Sequence, residues 1–220
     1  MLASELISYS IPPLKTSDTV QKALERMTEF KLSHMPIVNE TQFLGLLAED
    51  ELIEVKDVDS PIGSLSLSLL NPFVYEDVHI YDIIRLLTQL KLSAVPVLDY
   101  KKNYLGLIAV NSILGYVADI FAVKDTGGII VLEISNRNNS LAHMAQIVEA
   151  DNAQILSSYV QSFPDSTKLE VTLKINKTEL SGIIASFERY NYQVKAVFNS
   201  TKADDGTEDR FNSFMNYLNV

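Results

Sequence analysis

Cysteine is absent from all 220 residues. Disulfides, thiolate zinc sites and cysteine nucleophiles are excluded together, and the absence is consistent with a reducing compartment. Positive charge is scarce: 18 Lys plus Arg stand against 28 Asp plus Glu, a formal charge of −10. A surface of that sign repels a phosphate backbone, so nucleic acid is not an expected partner. No uncharged apolar run reaches the roughly 18 residues that would cross a bilayer. Residues 1–9 carry Glu5 and no basic stretch, unlike a secretory signal. Present instead are 47% hydrophobic and 21% charged residues, enough for one or two domains with ordinary cores. The expectation is a soluble, acidic, cytoplasmic protein without a membrane partner.

The first half is internally duplicated. Lys31-Leu-Ser-His-Met-Pro-Ile-Val38 recurs as Lys91-Leu-Ser-Ala-Val-Pro-Val-Leu98. Phe43-Leu-Gly-Leu-Leu-Ala48 recurs as Tyr104-Leu-Gly-Leu-Ile-Ala109, one residue further out of step, with the extra residue in a polar stretch at 99–103 that reads as a hairpin loop. Upstream, Val20, Ala23, Leu24 and Met27 match Ile80, Ile83, Ile84 and Leu87, the i, i+3, i+4, i+7 stripe of an amphipathic helix. Asp18 and Gln21 suit a capping pair, and the helix should end near Lys31. Strands are expected over 35–38 and 43–47 with a turn at 39–42. A second helix is expected over 49–55, with acidic residues in its first turn.

An amphipathic helix, then a small residue, two free positions, Pro, two apolar residues, a turn and apolar-Gly-apolar-apolar, all twice in order, resembles a pair of CBS domains. The resemblance covers residues 1–122, with repeats at 1–58 and 59–122. It implies an α+β module in which the copies pack through their sheets into a disc that often pairs with a second module. It also implies a cleft that binds adenosine-containing ligands in regulatory members. Such clefts carry Ser or Thr, two residues, then Asp where the second strand meets the following helix. The hydroxyl and helix amides meet phosphate, and the carboxylate accepts both ribose hydroxyls. The matching positions here are Ala48 and Glu51 in the first copy, and Ala109 and Ser112 in the second.

Losing a hydrogen bond to a charged group costs about 1.5–3 kcal/mol, roughly ten- to a hundredfold in affinity. Two readings follow: clefts that hold no adenine nucleotide tightly, or a retained or altered ligand. AMP, ATP or another adenosine derivative is the candidate, and no cofactor is certain. The Glu51 copy is the better candidate, with Leu14, Thr16, His34, Met35 and Pro36 as its implied walls; Ala94 and Pro96 take the matching places in the second. His34 precedes the strand proline, where the family places a side chain at the cleft mouth; it either meets a ligand or is a half-exposed loop histidine. His79 and His143 fall on predicted helices without partners at metal spacing, so no metal site is expected.

After residues 122–126 and Gly127-Gly128 the order changes to strand, helix, strand, strand, helix, strand. The strands fall at 128–134, 155–163, 169–175 and 192–198. Leu141, Ala145 and Val148 form one helical stripe starting from Asn139 or Ser140. Leu180, Ile183, Ile184 and Phe187 form the other, with Asn176 and Glu179 suiting its cap. βαββαβ is the ferredoxin-like order. Behind a CBS pair it resembles an ACT-type domain over 128–200, which implies an amino acid or other small ligand where the first strand turns into the first helix, commonly at a dimer interface. The usual loop Asp-Arg-Pro-Gly-x-Leu is here Asn136-Arg137-Asn138-Asn139-Ser140-Leu141. Asn136, Arg137, Asn139 and Ser140 are the candidate ligand residues, with a solvated turn as the alternative. An RNA-binding reading fails, because 129–134 and 169–175 lack the aromatics that stack bases. The whole order resembles acetoin-utilisation accessory proteins and similar bacterial CBS-domain regulators, which does not establish acetoin metabolism. Residues 201–220 read as an acidic linker and a C-terminal helix whose Phe211, Phe214, Met215 and Leu218 share one face and should dock on this subunit or a symmetry mate.

The leading functional reading is a non-catalytic regulatory protein. It would sense a small molecule in a CBS cleft or at the ACT-like loop and act through homodimer geometry on an unknown regulated protein. The alternative is a ligand-free structural or interaction module. No enzyme is expected: there is no paired histidine and acid at useful spacing and no Gly-rich phosphate loop, and Asp50, Glu51, Glu54, Asp57 and Asp59 read as a solvated helix face and loop.

Overall fold

The apolar stripe that opens each repeat is realised as α1 (Val20–Phe30) and α3 (Ile80–Leu90). α1 buries Val20, Ala23 and Met27, and α3 buries Ile80, Ile83 and Leu87. Each helix stops at a lysine in the left-handed region, Lys31 and Lys91, both at φ 53°, whose N–H returns to the Met27 or Leu87 carbonyl. The first cap differs from the expected Asp18–Gln21 pair. Thr19 Oγ1 accepts the Lys22 N–H at 3.2 Å, because Asp18 is turned inward and used elsewhere. Asp18 accepts the Lys15 N–H at 2.9 Å, Lys22 Nζ at 2.6 Å and Arg26 Nη1 at 3.3 Å, and Arg26 also donates to the Pro13 carbonyl at 2.9 Å. These bonds tie the segment before α1 to the helix. His79 likewise caps α3, its Nδ1 accepting the Tyr81 N–H at 3.3 Å, and is not the helical residue expected.

The structure, a computed structural model, describes residues 1–135, 140–164 and 166–199. The expected linker and helix at 201–220, and Asn136, Arg137 and Asn139 of the loop, lie outside the described residues. The chain forms two compact units, Met1–Tyr116 and Val117–Val220.

In the first unit β1 (His34–Asn39) and β2 (Gln42–Ala48) form a hairpin, and Leu14 bridges in parallel to Ile37. In the second repeat β3 (Val74–Tyr75) runs parallel to β4 (Ala94–Leu98), which pairs with β5 (Tyr104–Ala109). Val74 faces Val97, so Leu14 and Val74 hold one position of the repeat. The extra residue is absorbed at 99–103, where Asp99 accepts the Asn103 N–H and Nδ2, each at 2.8 Å. The helix expected over 49–55 is a single turn, α2 (Asp50–Ile53), whereas its counterpart α4 (Val110–Ile120) runs eleven residues. Asp50 and Glu54 would be like charges at i, i+4 in a longer helix, which opposes extension.

The leading segments are exchanged between repeats. At the chain start, the Ala3 N–H bonds the Val78 carbonyl and the Ser8 N–H the Leu107 carbonyl, both at 2.9 Å on the second repeat. The stretch before β3 lies on the first: Leu70 and Leu46 exchange backbone bonds of 3.0 and 2.7 Å, and Leu65, Leu67 and Leu69 pack against its core. The glycine of each Leu-Gly-Leu makes room for this. A Cβ at Gly45 would sit 2.7 Å from Leu69 Cβ, and one at Gly106 would overlap Ile7 Cγ2. The resulting core joins Leu14, Val20, Met27 and Met35 to Ala94, Leu107 and Ala109 of the other repeat.

In the second unit β6 (Gly128–Ser135), β7 (Ile155–Ser162), β8 (Lys168–Ile175) and β9 (Gln193–Asn199) form an antiparallel sheet of order β7-β8-β6-β9. α5 (Leu141–Ala150) and α6 (Ser181–Arg189) complete the ferredoxin-like βαββαβ order. Ile130, Leu132, Val171, Leu173 and Ile175 of the sheet are buried with Met144, Val148, Ile183 and Phe187 of the helices. Ser140 caps α5, accepting the His143 N–H at 3.2 Å. The N-cap of α6 is Leu180, which makes no side-chain cap bond; the preceding Glu179 accepts the Ser181 N–H at 3.0 Å, and the side chain of Asn176 instead accepts the Gln154 N–H at 2.8 Å.

The Tyr104 hydroxyl is buried with no hydrogen-bond partner among the described residues, and burial pushes its pKa up. Phe43 holds the same repeat position without a hydroxyl. Tyr104→Phe should raise stability by about 1 kcal/mol in urea unfolding; a loss would mean the hydroxyl has a partner. For Asp18, burial favours the neutral acid, but the Lys22 hydrogen bond, the Lys15 N–H and the nearby Arg26 outweigh it and hold the carboxyl below its usual pKa. Its folded pKa being the lower, its contribution is complete above about pH 4 and is lost as pH falls through the folded value. Asp18→Asn should cost about 1.5–3 kcal/mol at pH 7, with the gap from the parent protein closing in acid.

Candidate ligand cleft of the duplicated unit

Three backbone segments assemble the first-repeat candidates. The Leu14 N–H bonds the Pro36 carbonyl at 2.9 Å and the Val38 N–H returns to the Leu14 carbonyl at 2.8 Å. The β1–β2 register sets His34 opposite Ala48, and the Glu49 N–H bonds the Ser33 carbonyl at 2.9 Å. Thr16 is held by the Gly63 N–H on its carbonyl at 2.8 Å and by its own hydroxyl, which donates to Asn39 Oδ1 at 3.2 Å. Leu14, Met35 and Pro36 are buried, so the exposed side-chain chemistry comes from half-buried Thr16, His34, Ala48 and Glu51. Glu51 is not simply solvated as expected: Oε2 accepts the Ser68 N–H at 3.0 Å, from the exchanged segment. Beside Thr16, a groove of about 840 Å³ is lined by Pro13, Lys15, Ser17, Val38, Asn39 and Gln42 among others.

The second copy repeats the backbone with different chemistry. Ala94 faces Ala109 and Pro96 faces Leu107; Ala94, Pro96 and Ala109 are buried, and Ser112 is half-buried in the first turn of α4. The place of Thr16 is taken by Glu76, and that of Asp18 by Val78. Next to Glu76, Tyr75 stacks on Tyr100 with centroids 4.9 Å apart, and the Tyr100 hydroxyl donates to Asp77 at 2.6 Å. That bond to a carboxylate pushes the Tyr100 pKa up.

His34 sits where the two repeats meet. Ser93 Oγ accepts both the Ser33 and the His34 N–H at 3.0 Å, and the Ser93 N–H faces His34 Nδ1 at 3.3 Å. Ser33 Oγ lies 3.1 Å from the same nitrogen. The His34 ring is therefore neither a free loop histidine nor pointed only at a cleft. Ser33 and Ser93 were missed as site residues, although the repeated Lys-Leu-Ser was the signal that could have found them. They help line a cavity of about 340 Å³ with Lys31, Lys91 and Asn111. Burial lowers the His34 pKa, and the negative charge of Asp50 opposes this in part.

Elsewhere, Ser140 is engaged as a helix cap. Among the described residues, no three or more His, Asp or Glu side chains are grouped to hold a metal, and no helix is long and apolar enough to cross a membrane.

Two helix–strand–strand–helix repeats that exchange their leading segments define a tandem module. The CBS domain model matches residues 3–58 and 63–119, just over half of the chain. The chain belongs to the CBS domain family and carries a tandem pair. Solved structures that resemble the chain align with about half of it. One is a CBS domain pair/ACT domain protein from Thermotoga maritima, with TM-score 0.47 and 22% identity over 53% of this chain and 96% of that one. Another is a candidate acetoin utilization protein from Vibrio cholerae, with TM-score 0.49 and 15% identity over 56% and 95%. CBSX2 in complex with AMP aligns with TM-score 0.47 and 19% identity over 54% and 97%. No curated protein sequence matches the chain.

The His34 geometry predicts a pH dependence. With its folded pKa below the unfolded value of about 6.5, the neutral ring stabilises the junction fully above that pH. The contribution is lost as pH falls from about 6.5 toward the folded value. Denaturant unfolding of the parent and of His34→Gln at pH 7.5 and 5.5 should show a smaller acid loss in the variant, by less than about 1 kcal/mol because the ring is half-solvated. Equal losses would remove His34 from the junction's energetics.

Proposed function

We propose that this chain is a non-catalytic regulatory protein whose first-repeat cleft takes an adenosine-containing ligand such as AMP or ATP. On this reading it is a cytoplasmic homodimer, and the ligand acts by binding one dimer geometry better than another, so that an unidentified regulated protein responds. The observation that carries the reading is the asymmetry between two copies of one backbone. The first keeps the Thr16 hydroxyl and the Glu51 carboxylate. The second has Glu76 and Ser112 in those places, and a carboxylate there repels phosphate. Both copies lack the hydroxyl at Ala48 and Ala109, so binding is weaker than in clefts that keep it by roughly ten- to a hundredfold. Residues 128–200 are read as an ACT-type domain, with an amino acid-like ligand near Asn136, Arg137, Asn139 and Ser140 as a second input.

A second reading, a ligand-free interaction module, is favoured by one fact: Glu51 already accepts a backbone N–H from Ser68. Thermal unfolding with AMP, ATP, S-adenosylmethionine, NAD and the common amino acids separates the two. A ligand at 100 times its dissociation constant adds about 2.7 kcal/mol. Ala48→Thr, which restores the hydroxyl, should tighten AMP or ATP binding by about tenfold or more, and Glu51→Gln should weaken it. No shift by any compound, in the parent or in Ala48→Thr, would establish the ligand-free reading.

A further inference from the structure

One face of the β7-β8-β6-β9 sheet carries α5 and α6; the other holds an apolar patch at one end. Side chains alternate along strands, so with Ile130 and Leu132 in the core, Ile129 and Val131 point away from the helices. The register sets Phe198, Ile129, Lys174 and Ser157 in one row across the sheet, and Ala196, Val131, Thr172 and Tyr159 in the next. Ile129, Val131 and Ala196 are half-buried and Phe198 is 58% exposed. The β7 side of this patch is met by Phe121, whose ring lies 5.4 Å from Tyr159 and whose carbonyl accepts the Ser157 hydroxyl at 3.0 Å. Toward the other end, the ion pairs Lys168–Glu133 and Lys195–Glu170 make the face polar. The apolar end is therefore the end at which β9 finishes, at Asn199.

The chain continues from that point. Residues 200–210 contain Asp204, Asp205, Glu208 and Asp209, and Phe211, Phe214, Met215 and Leu218 follow at spacings of three, one and three. Eleven residues reach up to about 36 Å, while four strands span only about 15 Å. The linker is long enough to bring the apolar residues back over β6 and β9. Lys174, whose Nζ meets the Gly127 carbonyl at 3.4 Å, offers a cation within the patch to the acidic linker. We propose that residues 211–218 dock in cis on the open sheet face formed by Ile129, Val131, Ala196 and Phe198, with the acidic linker passing Lys174.

The lack of native cysteine makes a direct test possible. In the full chain, Ala196→Cys combined with Met215→Cys is oxidised mildly and resolved on a non-reducing gel, with free thiols counted by mass spectrometry. The proposal expects a disulfide within one chain, at monomer mass with no free thiol. A disulfide-linked dimer would assign the face to a second copy and overturn the cis assignment, as would two unreacted thiols. A cysteine-free measurement guards against misfolding of that variant. Phe198→Asp and Phe214→Asp should each lower the unfolding midpoint by a few degrees, and together should lower it no further than the worse of the two; additive losses would place the residues on independent surfaces and overturn the proposal.

Discussion

Each half of the duplicated unit depends on an apolar side chain from the other half's leading segment entering a slot that only glycine leaves open. Ile7 fills the slot at Gly106 and Leu69 the slot at Gly45. Ile7 and Leu69 are half-buried, so each contributes less than the about 1.5–3 kcal/mol of a fully buried apolar side chain. A two-stranded hairpin such as β1–β2 is marginal by itself; here it gains Leu14 on one edge and the Leu46–Leu70 bonds on the other. The Ser33–His34–Ser93 bonds then hold the two copies together at their junction.

That constraint fixes the backbone of both copies and leaves side chains as the main variable. The candidate cleft is where they diverge: Thr16 against Glu76, His34 against Ala94, Glu51 against Ser112. Asp18 against Val78 is the structural counterpart. In the first copy a buried carboxylate with three donors fastens the segment that carries Thr16 to α1, whereas the second copy has an apolar residue there. The copy that keeps the Thr16 hydroxyl and the Glu51 carboxylate is thus also the one whose Thr16-bearing segment is held by charge. Ala48 and Ala109 hold matching register positions in the two hairpins, so neither copy offers a hydroxyl there.

The parts legible in the sequence were those set by local periodicity. The stripes of α1, α3, α5 and α6 named their helices, and the repeated Pro and Gly positions named the hairpins. The exchange of leading segments was illegible, because a duplicated sequence aligns identically whether residues 1–8 cover their own repeat or the other. Thr19 displaced Asp18 as cap because an interior ion pair competed for the carboxylate, which cap preferences alone do not weigh. The short α2 ends before Glu54, a like charge four residues from Asp50, so an acidic first turn does not by itself extend a helix. In the candidate cleft, the positions could be aligned from the motif, but the Ser68 N–H on Glu51 and the Ser93 bonds to His34 join residues 17 and 59 apart in sequence, and no spacing rule reaches that far.

Through the exchanged segments the two CBS repeats form one cooperative unit. Native-state hydrogen exchange of the full chain across a denaturant series, read peptide by peptide, tests it most directly. Residues 1–8 and 62–70 should lose protection together with both hairpins, β1–β2 and β4–β5, at a single opening free energy. Two separate opening energies, one for each repeat with its own leading segment, would contradict it.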